Sequence, residues 1–148
     1  MNLAELIWLI PAFPLLGVVL LLIAGPKMGG RAGWLATAMM GGAFVSSVVV
    51  FAGLLSLGEE EREVTVTLFR WIPAGAFSVD IGFLADPLSI TMCLFVTGVG
   101  ALIHLYSIGY MHGDPKFSKY FLYLNLFAFS MLMLVTGSNL LVTFLGWE

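Results

Sequence analysis

Residues 32 to 57 carry no charged side chain, and the stretches from about Leu3 to Ala24, from Pro87 to Tyr110 and from about Tyr120 to Thr136 are nearly as apolar. About 20 consecutive apolar residues are enough to cross the hydrocarbon core of a bilayer. Each of these stretches is therefore predicted to be a transmembrane helix. Composition agrees: 60% of the residues are hydrophobic and 10% are charged, where a soluble domain carries about 25% charged residues. The class is a polytopic membrane protein.

The net charge of −3 sits in the connections. No basic patch points to nucleic acid. Cys93 is the only cysteine and lies inside an apolar run, so a disulfide framework and a thiolate metal site are both excluded. "MNLAEL" has no Lys or Arg ahead of the first apolar run, so it lacks the basic start of a cleaved signal peptide.

Pro11 and Pro14 predict a kinked first helix, tolerated where neighbouring groups satisfy the freed carbonyls. "GPKMGGR" reads as the turn to the second helix, which is long enough to span with tilt. From Gly58 to Asp86 the pattern changes. "EEERE" is a solvated charge cluster, and "FSVDIGF" alternates, with Phe77, Val79, Ile81 and Phe83 on one face. "VTVTLFRW" is β-branched and partly alternating, and "IPAG" separates the two, which together predict a β-hairpin. A lone hairpin is marginal, so it is expected to pack on something. "DPLS" opens the third helix with Asp86 as N-cap and Pro87 at the first helical position. "TGSN" reads as a helix stop followed by a new N-cap, and a fifth helical run reaches Glu148. The fold class is thus all-α and polytopic, with four complete spans, a truncated fifth, and an external hairpin loop at about 58–85 within one membrane domain, 1–148.

Basic residues in short loops set orientation. Lys27 and Arg31, and Lys116 and Lys119, put the first and third connections in the cytoplasm. The N-terminus, the hairpin and "TGSN" are then outside. Trp34, Tyr106, Tyr110 and Tyr120 fall at the inner interface and Trp8 near the outer one.

Glu148 stands nine residues past Asn139, a depth of roughly 13–14 Å along a helix in a core about 30 Å thick. A charge there costs about 2.5–3.5 kcal/mol even on the translocon scale, and such groups serve ion or proton movement. Burial raises a carboxyl pKa and a nearby cation lowers it, so this position suits a group that loads and unloads protons. The competing reading is a fifth helix that never inserts, with Glu148 in water. Ten residues cannot span a membrane, so the sequence reads as the N-terminal part of something longer. His104 is either a hydrogen-bonded structural residue or a second member of a proton relay. It has no partner ligand at i+3 or i+4 and so makes no metal site. Asn125 reads as a residue that joins helices by hydrogen bonding. "GVG" at 98 to 100 reads as a close helix contact, and the methionines as packing.

"LADPLSITMCLFVTGVGALIHLYSIGYM" and "YFLYLNLFAFSMLMLVTGSNLLVTFLGWE" resemble the N-terminal part of the L subunit (chain 5) family of proton-pumping NADH-quinone oxidoreductase, complex I. The large subunits of multisubunit cation/proton antiporters share much of this pattern and are the alternative. The resemblance covers about residues 84 to 148, and the N-terminal half fits in layout. It implies that the glutamate of "GWE", here Glu148, is an intramembrane carboxylate of the proton pathway, and that the hairpin contacts neighbouring subunits. It implies a proton-translocating subunit of the enzyme that is not catalytic alone and has no cofactor or metal of its own. NADH, FMN, iron–sulfur clusters and quinone are then expected in partner subunits. Its partners would be other complex I membrane subunits, the lipid bilayer and protons, in a bacterial inner membrane. The family's further helices, with the lysines that pair with the glutamate, lie outside this sequence. A third reading is a structural membrane anchor, in which Glu148 is dispensable.

Overall fold

A computed structural model describes residues 2–74 and 77–148. A 3-10 segment, Leu3–Trp8, runs into α1, Leu9–Met28. There follow α2, Arg31–Leu55, and a two-stranded antiparallel ribbon of β1, Val64–Ala74, and β2, Phe77–Ala85. The chain then forms α3, Pro87–Tyr110, α4, Phe117–Thr136, and the short α5, Leu140–Trp147. Four helical segments, beginning at Leu3, Arg31, Pro87 and Phe117, are long and apolar enough to cross a membrane.

Two boundaries differ from the sequence reading. Helix α1 does not stop at Ala24 but continues to Met28, with Pro26 inside it. Proline removes one hydrogen bond and crowds the turn before it, which a helix in an apolar setting tolerates when other groups compensate. The stop comes at Gly29, whose φ of 53° suits a residue without Cβ. Lys27 consequently lies in the last turn, where a cation complements the helix dipole. Helix α4 begins at Phe117, ahead of the expected Tyr120, because Ser118 and Lys119 make a polar first turn.

The start of α3 is as read. Asp86 accepts a hydrogen bond from the Ser89 amide at 2.9 Å, and Ser89 Oγ accepts one from the Asp86 amide at 3.1 Å. This reciprocal box satisfies two orphan donors. In the hairpin, Ile72, Pro73 and Ala74 belong to β1 itself and not to the connection; Gly75 lies outside the described residues. The register of β1 slips between Thr67 and Phe69 and again between Arg70 and Ile72. Each slip adds a residue to one strand, as a bulge does, which is why β1 alternates only in part.

The hairpin does pack. Val79, Ile81, Phe83 and Ala85 are buried, and the last three join Ala4, Ile7, Val50, Ile90, Leu132 and Val142 in one apolar cluster. A second cluster, around Leu21, Ala32, Ala36 and Phe121, fills the other end of the bundle. Between these clusters the four long helices meet around Gly17 on α1, Met40 on α2, Gly100 and His104 on α3, and Asn125 on α4. A Cβ on Gly100 would meet the flexible end of the Met40 side chain, so α3 and α2 are in close contact there.

The hairpin, the 3-10 segment and the α4–α5 turn share one end of the bundle, and the Gly29–Gly30 and 111–116 turns share the other. An impermeant thiol reagent should therefore label Ser78→Cys and Lys116→Cys, both at exposed positions, from opposite sides of the membrane. The native Cys93 is buried and contributes little background. Labelling of both from one side would contradict this arrangement.

Candidate functional site

The position of Glu148 is set by the hairpin. The Ser138 amide donates to Gly82 O at 3.1 Å, and Asn139 Nδ2 donates to Asp80 O at 2.8 Å. The other end of the same amide, Asn139 Oδ1, accepts from the amides of Leu141 and Val142 at 3.1 and 3.0 Å. One side chain thus ties the ribbon to the first turn of α5 and satisfies donors of that turn. Helix α5 then runs down beside α4. An added Cβ on Gly146 would stand 2.7 Å from Ser130 O and against the Leu134 backbone, so the two helices touch backbone to backbone there. Ser130 lies in the middle part of α4, and Glu148 follows two residues after the contact. The carboxylate lines a cleft of about 490 Å³ between α4 and α5, with Tyr123, Phe127, Ser130, Met131 and Trp147 among its walls.

His104 sits deeper inside the bundle, 2% exposed. Its Nδ1 is 2.7 Å from Gly100 O, and its Nε2 is 3.0 Å from Asn125 Oδ1 on α4. Asn125 is fully buried, and its Nδ2 has no hydrogen-bond partner among the described residues. That nitrogen lies against Gly17, where a Cβ would overlap it. One helical turn further along α3, Ser107 Oγ and Tyr120 OH are 3.1 Å apart. On the hairpin side of His104, Thr97 Oγ1 donates to Cys93 O at 2.6 Å and lies 3.4 Å from Ser47 Oγ. Of the buried residues of α3 (Ser89, Ile90, Cys93, Thr97, His104 and Ser107), all but Ile90 and Cys93 are polar.

Glu148 and His104 are not in contact. His104 borders a separate, apolar cavity of about 180 Å³ between α3 and α4, and Phe127 and Met131 line both spaces. The two titratable groups face opposite sides of one α4 wall. Asn125 joins helices as read from the sequence. Its pairing with His104 could not be read there, since the two stand 21 positions apart with no motif linking them. Gly17 and Gly146 gave no sequence signal beyond being small residues in apolar runs.

This geometry defines a multi-pass helical membrane protein with several buried polar side chains in a largely apolar bundle and a carboxylate carried on a helix beside the bundle. Comparison with known proteins narrows the class. Residues 71–121 match the family model described as NADH-ubiquinone oxidoreductase (complex I), chain 5 N-terminus. The chain is 41% identical, over 95% of its own length, to NADH-quinone oxidoreductase subunit L of Mycobacterium tuberculosis, of which it covers 22%. It is 38% identical over 91% of its length to NADH-ubiquinone oxidoreductase chain 5 of Cryphonectria parasitica, covering 20% of that protein. The corresponding chain 5 of Chondrus crispus is 44% identical over 70% of this chain, which covers 16% of it. The chain is thus similar along most of its length to complex I subunit L/chain 5 proteins, and it spans about a fifth of the length of these relatives.

Proposed function

We propose that the chain is the N-terminal part of a proton-translocating membrane subunit of a respiratory NADH-quinone oxidoreductase, with Glu148 as a proton-loading carboxylate and His104 as a second carrier. The observation that carries this is the placement of Glu148. Helix α5 is capped at the hairpin end and pressed onto α4 at Gly146, which leaves the carboxylate roughly 13–14 Å from the capped end of the helix. Carboxylates at that depth are costly and serve ion or proton movement. The relatives cited above are all named as NADH oxidoreductase subunits, which supports this reading over the antiporter one.

On this reading the chain holds no redox centre. NADH, FMN, iron–sulfur clusters and quinone belong to partner subunits, and the membrane is a bacterial inner membrane with the N-terminus and hairpin outside. Electron transfer elsewhere in the complex drives changes that load and unload Glu148.

The test is a pair of substitutions in the full-length subunit. Glu148→Gln keeps shape and hydrogen-bonding capacity but cannot ionise, so the complex should assemble while proton movement falls about tenfold or more, as expected for a lost acid–base group. Glu148→Asp keeps the acid but withdraws it by one methylene, so partial activity is expected. A purely structural residue would give the opposite order, with Gln harmless.

A further inference from the structure

We infer that Asn125 is a reversible hydrogen-bond partner that lets His104 hold either one proton or two, its side-chain amide turning over as the ring changes state. The role in transport rests on the reading of His104 as a proton carrier; the bonding itself does not.

Gly100 O can only accept a hydrogen bond, so Nδ1, 2.7 Å away, carries a hydrogen in every state. Asn125 Oδ1, 3.0 Å from Nε2, is also only an acceptor. With Oδ1 turned to the ring, the pairing suits the doubly protonated form, in which both N–H groups are satisfied. A neutral ring keeps Nδ1–H and leaves a lone pair on Nε2, which Oδ1 would repel. The amide must then present Nδ2, which requires a half-turn about its Cβ–Cγ bond.

That half-turn breaks no other hydrogen bond. In the present orientation Nδ2 has no partner among the described residues, so the two ends of the amide can exchange places at the cost of the His104 contact alone. The amide lies directly against Gly17, where a Cβ would overlap Nδ2, so any larger residue there would crowd it. The proton balance is simple. One proton from water adds to Nε2, the pair goes from neutral to a single positive charge, and the amide turns without exchanging a proton of its own.

Few groups compete for that proton. Helix α2 carries no charge after Arg31, and α1 none between its start and Lys27. On α4, Tyr120 faces α3 through Ser107, whereas Tyr123 is exposed on the Glu148 cleft. On α3, Tyr106 and Tyr110 are exposed on the outside, and Cys93 lies three turns away. Lys119 lies six residues before Asn125, about 9 Å along α4, and is exposed, and Glu148 lies across Phe127 and Met131. The charge on His104 is therefore met by the Gly100 and Asn125 oxygens, without a counter-ion.

The experiment uses nitrogen-15-labelled histidine in the full 148-residue chain, reconstituted in lipid bilayers and read by solid-state NMR. The only other histidine, His112, is exposed and is replaced by Gln, leaving one ring. The neutral ring should be protonated on Nδ1, and lowering the pH should add a second proton on Nε2. At a fixed pH, Asn125→Leu should reduce the doubly protonated fraction about tenfold, the difference between the charge-assisted hydrogen bond lost by the charged ring and the neutral one lost by the uncharged ring. Asn125→Asp should hold the ring doubly protonated across the accessible range, and it keeps the proposal testable if the Leu variant does not fold. A neutral ring protonated on Nε2, a ring that never takes a second proton, or a two-proton fraction untouched by Asn125→Leu would each overturn the inference. Wild-type proton movement in the Asn125→Asp complex, with the bonding as stated, would overturn the transport role of the pair and leave the Glu148 reading standing.

Discussion

Replacing Val79 and Ile81 together by Asp should leave almost no assembled complex, while any complex that does form turns over normally. Both side chains are buried, at 6% and 8% exposure, on the ribbon face that covers one end of the bundle. A carboxylate placed there without a partner costs several kcal/mol after relaxation. Two of them approach the whole stability of an ordinary fold, about 5–15 kcal/mol. The ribbon's alternative is to swing away into water, which exposes Ala4, Ile7, Val50 and Leu132 and abandons the Asn139–Asp80 tie. Either route removes the platform from which α5 starts, so a complex forms only where the ribbon is still seated. The measurement is the amount of assembled complex in membranes, with NADH oxidation and proton movement normalised to it. Normal assembly with lost proton movement would contradict this account and give the hairpin a part in transfer.

The second large effect is expected at Gly146. Any side chain there meets Ser130 O and the Leu134 backbone on α4. Backbone atoms cannot rotate out of the way, so Gly146→Val must push α5 off α4. Overpacking of this kind typically costs 1–3 kcal/mol, about enough to displace a short helix without unfolding the bundle. Misplacement of a reacting group by about 1 Å can cost around 100-fold in rate, so proton movement should fall nearly as far as in Glu148→Gln. Gly146→Ala should fall between. If Gly146→Val pumps normally in a fully assembled complex, the close contact does not position Glu148.

These two expectations show what the sequence could and could not convey. The spans were legible because length and apolarity are what a bilayer selects. The α3 start was legible because "DPLS" encodes its own cap, and β2 because "FSVDIGF" alternates without interruption. Strand β1 was harder, since two register slips break its alternation. The end of α1 was misplaced because Gly25 and Pro26 look like a turn, and only their neighbours in space let the helix run through them. Asn139 could be read as a cap, but not as a tie to Asp80, a contact 59 positions away. The candidate site was half legible. A carboxylate nine residues into an apolar run stands out from composition alone. The His104–Asn125 pair and the Gly146 contact are products of how four helices meet, and no local pattern encodes that meeting.

The central claim is that Glu148 carries protons across the membrane domain. Its most direct test is the number of protons moved per NADH oxidised in sealed membrane vesicles bearing Glu148→Gln, at complex levels matched to wild type. The account predicts a normally assembled complex in which that ratio falls and Glu148→Asp restores part of it. A wild-type ratio in Glu148→Gln would contradict it and leave Glu148 a structural residue.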